Sequence, residues 1–145
     1  HIHSRAGMAV AALAEGLQPV SMNATMFTDR LSYHDYEGVS LYPDERARLV
    51  ENLGTSHAMI LRNHGLIVCG RTIPEAFLRL YRLERACQVQ IDAAGAGALN
   101  LLSDAIARKS GDEVEAFGAL EAENGRLEFD ALRRKLDRID GSYAT

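Results

Sequence analysis

Two histidines flanking an isoleucine, His1-Ile2-His3, constrain this chain more than any other feature once they are read beside Asn63-His64-Gly65. Side chains on an extended segment alternate with period two, so His1 and His3 leave the same face of a strand. Two rings so placed can close on one metal ion. A histidine beside a glycine turn at a strand end, His64, is well placed to supply a third. Three neutral imidazoles leave a divalent ion its full double charge and an open position, which is the layout of a catalytic site rather than a closed structural one. His-x-His alone is a two-residue pattern that also occurs on bare surfaces, and His64 is what gives it weight. A strand whose first residue is a ligand reads as the back part of a larger domain.

The 145 residues suffice for one domain with a real core. Net charge is −4 with acids and bases interspersed, and no basic stripe is present to neutralise phosphates, which argues against a nucleic-acid partner. No apolar run reaches the roughly 18–20 residues a membrane helix needs, so no membrane partner is expected. Cys69 and Cys87 follow neither metal-ligand nor redox spacing. They read as two buried thiols, which suits a reducing cytoplasm.

The pattern along the chain predicts a helix over 6–16, rich in small residues, so something must pass close to its backbone. Leu17 to Val20 reads as an edge strand broken by Pro19. Met22 to Gly38 has little periodicity and room for one short helix around Thr28 to Leu31. Pro43 to Leu53 is a helix with Asp44 and Glu45 in its first turn and Gly54 as its stop. Two apolar runs, 57–62 and 66–69, are strands joined by the Asn63-His64-Gly65 turn. Thr72-Ile73-Pro74-Glu75 is a capping box opening the longest helix, to about Ala94, whose buried stripe is Leu80, Leu83, Cys87 and Ile91. Beyond a Gly95–Ala98 break, a helix is expected over 99–109. A second capping box at Ser110-Gly111-Asp112-Glu113 starts another helix toward Asn124-Gly125, and a last one spans 126–139. The order fits a mixed α/β domain with C-terminal helices covering a sheet.

The segments His1-Ile2-His3-Ser4-Arg5-Ala6-Gly7-Met8-Ala9-Val10 and Leu61-Arg62-Asn63-His64-Gly65-Leu66 together resemble the class II aldolase/adducin family. The likeness continues through Tyr33-His34-Asp35-Tyr36-Glu37-Gly38, Glu75-Ala76-Phe77 and Leu136-Asp137-Arg138-Ile139-Asp140, and leaves out only the generic stretch from Gly95 to Asn124. The resemblance implies a three-layer α/β/α domain with a mostly antiparallel central sheet, of which residues 1–145 would be the C-terminal part only. It implies one divalent ion on His1, His3 and His64, zinc first, with manganese, cobalt or iron also able to bind imidazole. It further implies a homotetramer with active sites at subunit interfaces.

In such aldolases the ion holds two adjacent substrate oxygens and stabilises the enediolate formed when a carbon–carbon bond breaks. The expected activity is therefore a metal-dependent lyase acting beside a carbonyl of a small sugar-derived or hydroxy-acid substrate. The general base of the family is a glutamate upstream of His-x-His, so no base is assigned within this chain. A decarboxylase or epimerase would use the same site. The sugar-phosphate members carry a tyrosine shortly after the proline that follows the first helix, where this chain has Pro19-Val20-Ser21-Met22-Asn23. Arg-Ala-Gly-Met and Tyr-His-Asp-Tyr-Glu-Gly are closer to the adducin-like branch, so a non-catalytic oligomeric interaction protein is the alternative. Arg5 and Arg62 could hold a carboxylate or phosphate, or make structural contacts. Tyr33, His34 and Tyr36 could complete a neighbour's pocket or pack an interface. His57 is expected at the surface, and Met8, Met22 and Met26 in the core.

Overall fold

A computed structural model describes residues 1–39, 43–120 and 124–144. Nine elements follow one another: α1 (Arg5–Ala11), α2 (Met22–Thr25), β1 (Leu31–His34), α3 (Glu45–Leu53), β2 (Ala58–Leu61), β3 (Gly65–Val68), α4 (Ile73–Ala96), α5 (Asp104–Gly118) and α6 (Arg126–Ile139), with a 3-10 turn at Ser142–Ala144. Ser40 to Tyr42, and Glu121 to Glu123 within the helix expected from Ser110 toward Asn124-Gly125, lie outside the described residues.

The sheet has the order β1-β2-β3. β2 and β3 form the expected hairpin, with Ala58 opposite Val68 and Leu61 opposite Gly65. β1, however, runs parallel to β2, with Leu31 opposite Ala58 and His34 opposite Leu61. The sheet is therefore mixed, which corrects the expectation of a mostly antiparallel one. Parallel neighbours need a crossover, and α3 supplies it between β1 and β2. The layered fold also runs through nearly the whole chain rather than being confined to a C-terminal segment of a domain.

Alternation along the strands separates the two outer layers. Leu31, Tyr33, Ala58, Ile60, Leu66 and Val68 face one side, where they join Val10 and Ala11 of α1 with Leu83 and Cys87 of α4. His34 faces the other side, where Asn52 of α3 lies 2.8 Å from its Nδ1. Both faces of β2 are covered, and all four of its residues are buried. A strand closed in on both sides is what a continuous apolar run, Ala58-Met59-Ile60-Leu61, encodes.

α4 is the long pillar of the core layer. Thr72 caps it by accepting from the Glu75 N–H at 3.3 Å, and Pro74 stands in its first turn. Glu75 does not return the bond to Thr72. Its carboxylate accepts from the Arg71 N–H at 2.6 Å, one residue further out. Thr72→Ala is expected to lower stability by about 1 kcal/mol, read as an earlier urea midpoint with unchanged slope. Gln90, buried on the same helix, accepts from the Gln18 N–H and donates to the Gly16 carbonyl, pinning the loop that leaves α1.

Other expectations are corrected. α1 stops at Ala11, residues 17–20 form no strand, and the short helix lies at Met22–Thr25 while Leu31 belongs to β1. Ser110 starts no helix. α5 begins at Asp104, capped by Ser103, whose hydroxyl accepts from the Ile106 N–H, and Ser110 inside it meets the Thr25 hydroxyl at 2.9 Å. A Cβ on Gly111 would stand 2.6 Å from the Thr25 carbonyl oxygen, so glycine there serves helix contact rather than a break. Cys69 is exposed rather than buried. Met22, expected in the core, keeps 73% of its surface, and Met8 is exposed as well.

Candidate metal centre

Ile2 bridges Leu66 on the free edge of β3 through two backbone hydrogen bonds of 3.0 and 3.1 Å. This single pairing places His1 and His3 beside the turn that carries His64. The turn is built for the approach. Asn63 takes a left-handed conformation with φ 58°, which asparagine tolerates better than most residues. A Cβ on Gly65 would stand 2.4 Å from the Ile2 carbonyl oxygen and 3.1 Å from the His3 ring, so only glycine lets the strand dock here. Gly7 does the same for α1, where a Cβ would meet the Leu66 side chain at 2.7 Å. That contact is the close passage predicted from the small residues of this helix. Ser4 caps α1 by accepting from the Gly7 N–H at 3.2 Å, and its hydroxyl donates to the Glu84 carboxylate of α4.

The three rings converge. Their centroids lie 4.5 Å apart for His1 and His3, 4.7 Å for His3 and His64, and 5.0 Å for His1 and His64. One nitrogen from each ring lies within 4.8 Å of the other two. His1 Nδ1 is 2.9 Å from the Leu66 carbonyl oxygen, to which only an N–H can donate. That bond fixes the tautomer and turns the Nε2 lone pair of His1 toward the other rings, with His3 Nε2 2.8 Å away. Neutral nitrogen donors of this kind fit a zinc-type ion, and a hydrogen bond behind a ligand ring is how such ligands are commonly held.

Tyr36 also reaches this place, its ring 6.2 Å from that of His64. It lines a cleft of about 510 Å³ with His3, Met8, Val39, Asn63 and His64. The other sequence-predicted residues go elsewhere. Arg5 is exposed in the first turn of α1. Tyr33 turns into the core, where burial pushes its hydroxyl above the ordinary tyrosine value, and that oxygen accepts from the Leu17 N–H at 3.1 Å. Arg62 stacks 4.4 Å over the Tyr33 ring and donates to the carbonyls of Leu13 and Ala14 just beyond α1, so its role here is to hold the end of that helix. His34 is buried on the α3 side of the sheet. His57 is exposed, as expected. Cys87 is no candidate nucleophile, since burial pushes its thiol up to about 12.

Glu45, read from sequence only as a first-turn acid, and Asn52 of α3 both stand against His34, and the sequence marks neither as a site residue. Their separation from His34 along the chain hides them, whereas the i,i+3 spacing of His34 and Glu37 was open to reading. Among the described residues no helix is long and apolar enough to cross a membrane.

The family profile described as the class II aldolase and adducin N-terminal domain matches residues 1–91. A class 2 aldolase-type protein of Pseudomonas aeruginosa is 39% identical over 145 residues, covering 99% of this chain and 56% of that protein. Mouse alpha-adducin is 38% identical over 150 residues, covering 96% of this chain and 20% of that protein. The crystal structure of an aldolase II superfamily protein from Pseudomonas syringae superposes with a TM-score of 0.84 at 38% identity, covering 99% of this chain and 56% of that one. The chain thus spans about half the length of the bacterial relatives it matches.

Proposed function

The chain belongs to the class II aldolase and adducin family, and on that premise we propose that it is the metal-binding portion of a lyase that makes or breaks a carbon–carbon bond beside a carbonyl group. The observation that carries this reading is the convergence of His1, His3 and His64, the latter two of which line a cleft. A zinc-type ion held there would supply positive charge to adjacent oxygens of a small sugar-derived or hydroxy-acid substrate. His1, His3 and His64 would hold the ion without cancelling its charge. Leu66, through its carbonyl, orients the His1 ring. Tyr36, with 53% of its surface exposed, presents a hydroxyl-bearing ring beside His64 and would contact substrate rather than the protein interior. A tetramer with sites near its interfaces belongs to this proposal.

The second reading is a non-catalytic, adducin-like interaction protein. It is favoured by the likeness to mouse alpha-adducin, which is as strong in identity as the likeness to the bacterial structure. The deciding experiment loads the full-length protein with zinc or manganese and follows retro-aldol cleavage of small hydroxycarbonyl compounds. Metal-dependent turnover, with Tyr36→Phe changing KM or kcat while leaving metal content alone, supports the lyase. A fully loaded, folded protein that turns over no such compound supports the scaffold.

A further inference from the structure

A second group of ligand-type side chains lies on the opposite face of the sheet. His34 keeps 3% of its surface, and its Nε2 is buried without a hydrogen-bond partner. Two carboxylates face that nitrogen: Glu45 Oε1 at 3.4 Å and Glu37 Oε1 at 3.8 Å. Both distances are long for a hydrogen bond. The Glu45 distance matches the spacing of two ligand atoms on one tetrahedral ion, about 3.3–3.4 Å for bonds of about 2.0–2.1 Å, and the Glu37 oxygen lies a few tenths of an ångström beyond it. One nitrogen and two carboxylate oxygens, all within 4.8 Å of one another, make a ligand set of the zinc or manganese kind.

The surrounding charges agree. Glu37 accepts from the Arg48 Nε at 2.8 and 3.0 Å, and Arg48 also lies 3.6 Å from Asp44. Among these connected groups the three carboxylates Glu37, Asp44 and Glu45 outnumber the one guanidinium, Arg48, by two. A divalent ion neutralises that excess. The ring is also supported from behind. Asn52 Nδ2 lies 2.8 Å from His34 Nδ1, and rotating this amide by half a turn presents its oxygen to an Nδ1–H. Nε2 is then left with its lone pair toward the carboxylates, the usual arrangement of a ligating imidazole.

We propose that His34, Glu37 and Glu45 bind a second divalent cation, separate from the histidine triad. It would tie β1 to the first turn of α3. It would also hold the segment after β1, so that Tyr36, between His34 and Glu37 in sequence, stays beside His64. The proposal does not depend on the triad binding metal or on lyase activity.

The test is metal stoichiometry of the full-length protein with zinc or manganese alone, in wild type, His64→Ala, Glu45→Gln and the double variant. The second site predicts that Glu45→Gln loses one ion per chain whether or not His64 is present, and that the His64→Ala protein still binds one. His34→Gln should lose the same ion, but its buried position risks the fold. Glu45 is 13% exposed in its side chain and lies at a helix end, so its isosteric amide is the safer variant, with circular dichroism as the check. Cobalt absorption would report a mixed nitrogen and oxygen environment lost in Glu45→Gln. A His64→Ala protein that binds no ion, or a Glu45→Gln protein with the wild-type number, would overturn the proposal in favour of an imidazole held by carboxylates alone.

Discussion

His64→Ala is expected to release one divalent ion per chain and leave the fold standing. The reason for the first effect is geometric. His1 and His3 alone give two nitrogens from one strand, and the third comes only from the turn. Losing even an outer partner of a metal ligand commonly costs about 10–100-fold in affinity, so losing a ligand itself should cost at least about 100-fold. The reason for the second is the place of the ring. His64 sits on a turn, partly exposed, against His1, His3 and Tyr36 rather than in the apolar core. The turn itself is held by backbone bonds, from the Asn63 N–H to the Ala11 carbonyl and from the His64 N–H to the Leu61 carbonyl, both 3.0 Å. Competition with a chromophoric chelator gives the affinity, and an unchanged urea midpoint of the metal-free protein checks the fold. Zinc binding equal to wild type would sink the triad assignment.

Gly65→Ala should do damage of a different kind. The new methyl group falls 2.4 Å from the Ile2 carbonyl oxygen, a backbone atom that cannot swing aside. Either the edge strand lifts off β3 or the turn shifts. Overpacking of this sort costs about 1–3 kcal/mol. Metal affinity should fall with it although all three histidines remain, because the substitution separates the strand that carries His1 and His3 from the turn that carries His64. Gly95→Ala is the matched control. Its added methyl meets nothing within 4 Å, and the residue lies near the end of α4, where alanine favours helix. It should raise stability by up to about 1 kcal/mol and leave metal binding alone. Denaturant midpoints and zinc titrations on the pair separate the two effects. If Gly65→Ala binds zinc as wild type does, the strand docking described above does not position the site.

The histidine triad was legible because its constraint is local at both ends. His-x-His follows from strand period, and Asn-His-Gly names its own turn. α4 was legible for the same reason, through Thr72, Pro74 and a sustained apolar stripe. β1 was not. Leu31-Ser32-Tyr33-His34 does alternate, but four residues are too few to stand out from the polar stretch around them. Its parallel partner is chosen by the α3 crossover, which no local pattern records. The Ser110 cap misled because Ser-x-x-Glu also occurs inside helices, where the hydroxyl can face another element, as it does toward Thr25. The separation of Tyr33 from Tyr36 depends on strand phase. Once Leu31 is seen as a strand residue, Tyr33 must face the core with it, whereas Tyr36 lies beyond the strand's end and is free to meet His64.

The pairing of Ile2 with Leu66 has a consequence for the order in which this protein assembles. β2 and β3 meet through a short turn, and such hairpins form in about 1–10 μs. Ile2 must find Leu66 across the whole of α1, α2, β1, α3 and β2, and closing so long a loop costs entropy that only the finished edge returns. The hairpin can therefore exist without its third partner, and the nitrogen cluster is among the last features to be completed. Opening runs the same path backwards. The Leu66 amide, bonded outward to Ile2, should exchange its hydrogen through smaller fluctuations than the amides facing into the hairpin. An ion held by histidines on both sides of that seam would couple its own departure to the opening. Its occupancy would then set how often the edge comes undone, and the site would act as a clasp on the youngest joint of the fold.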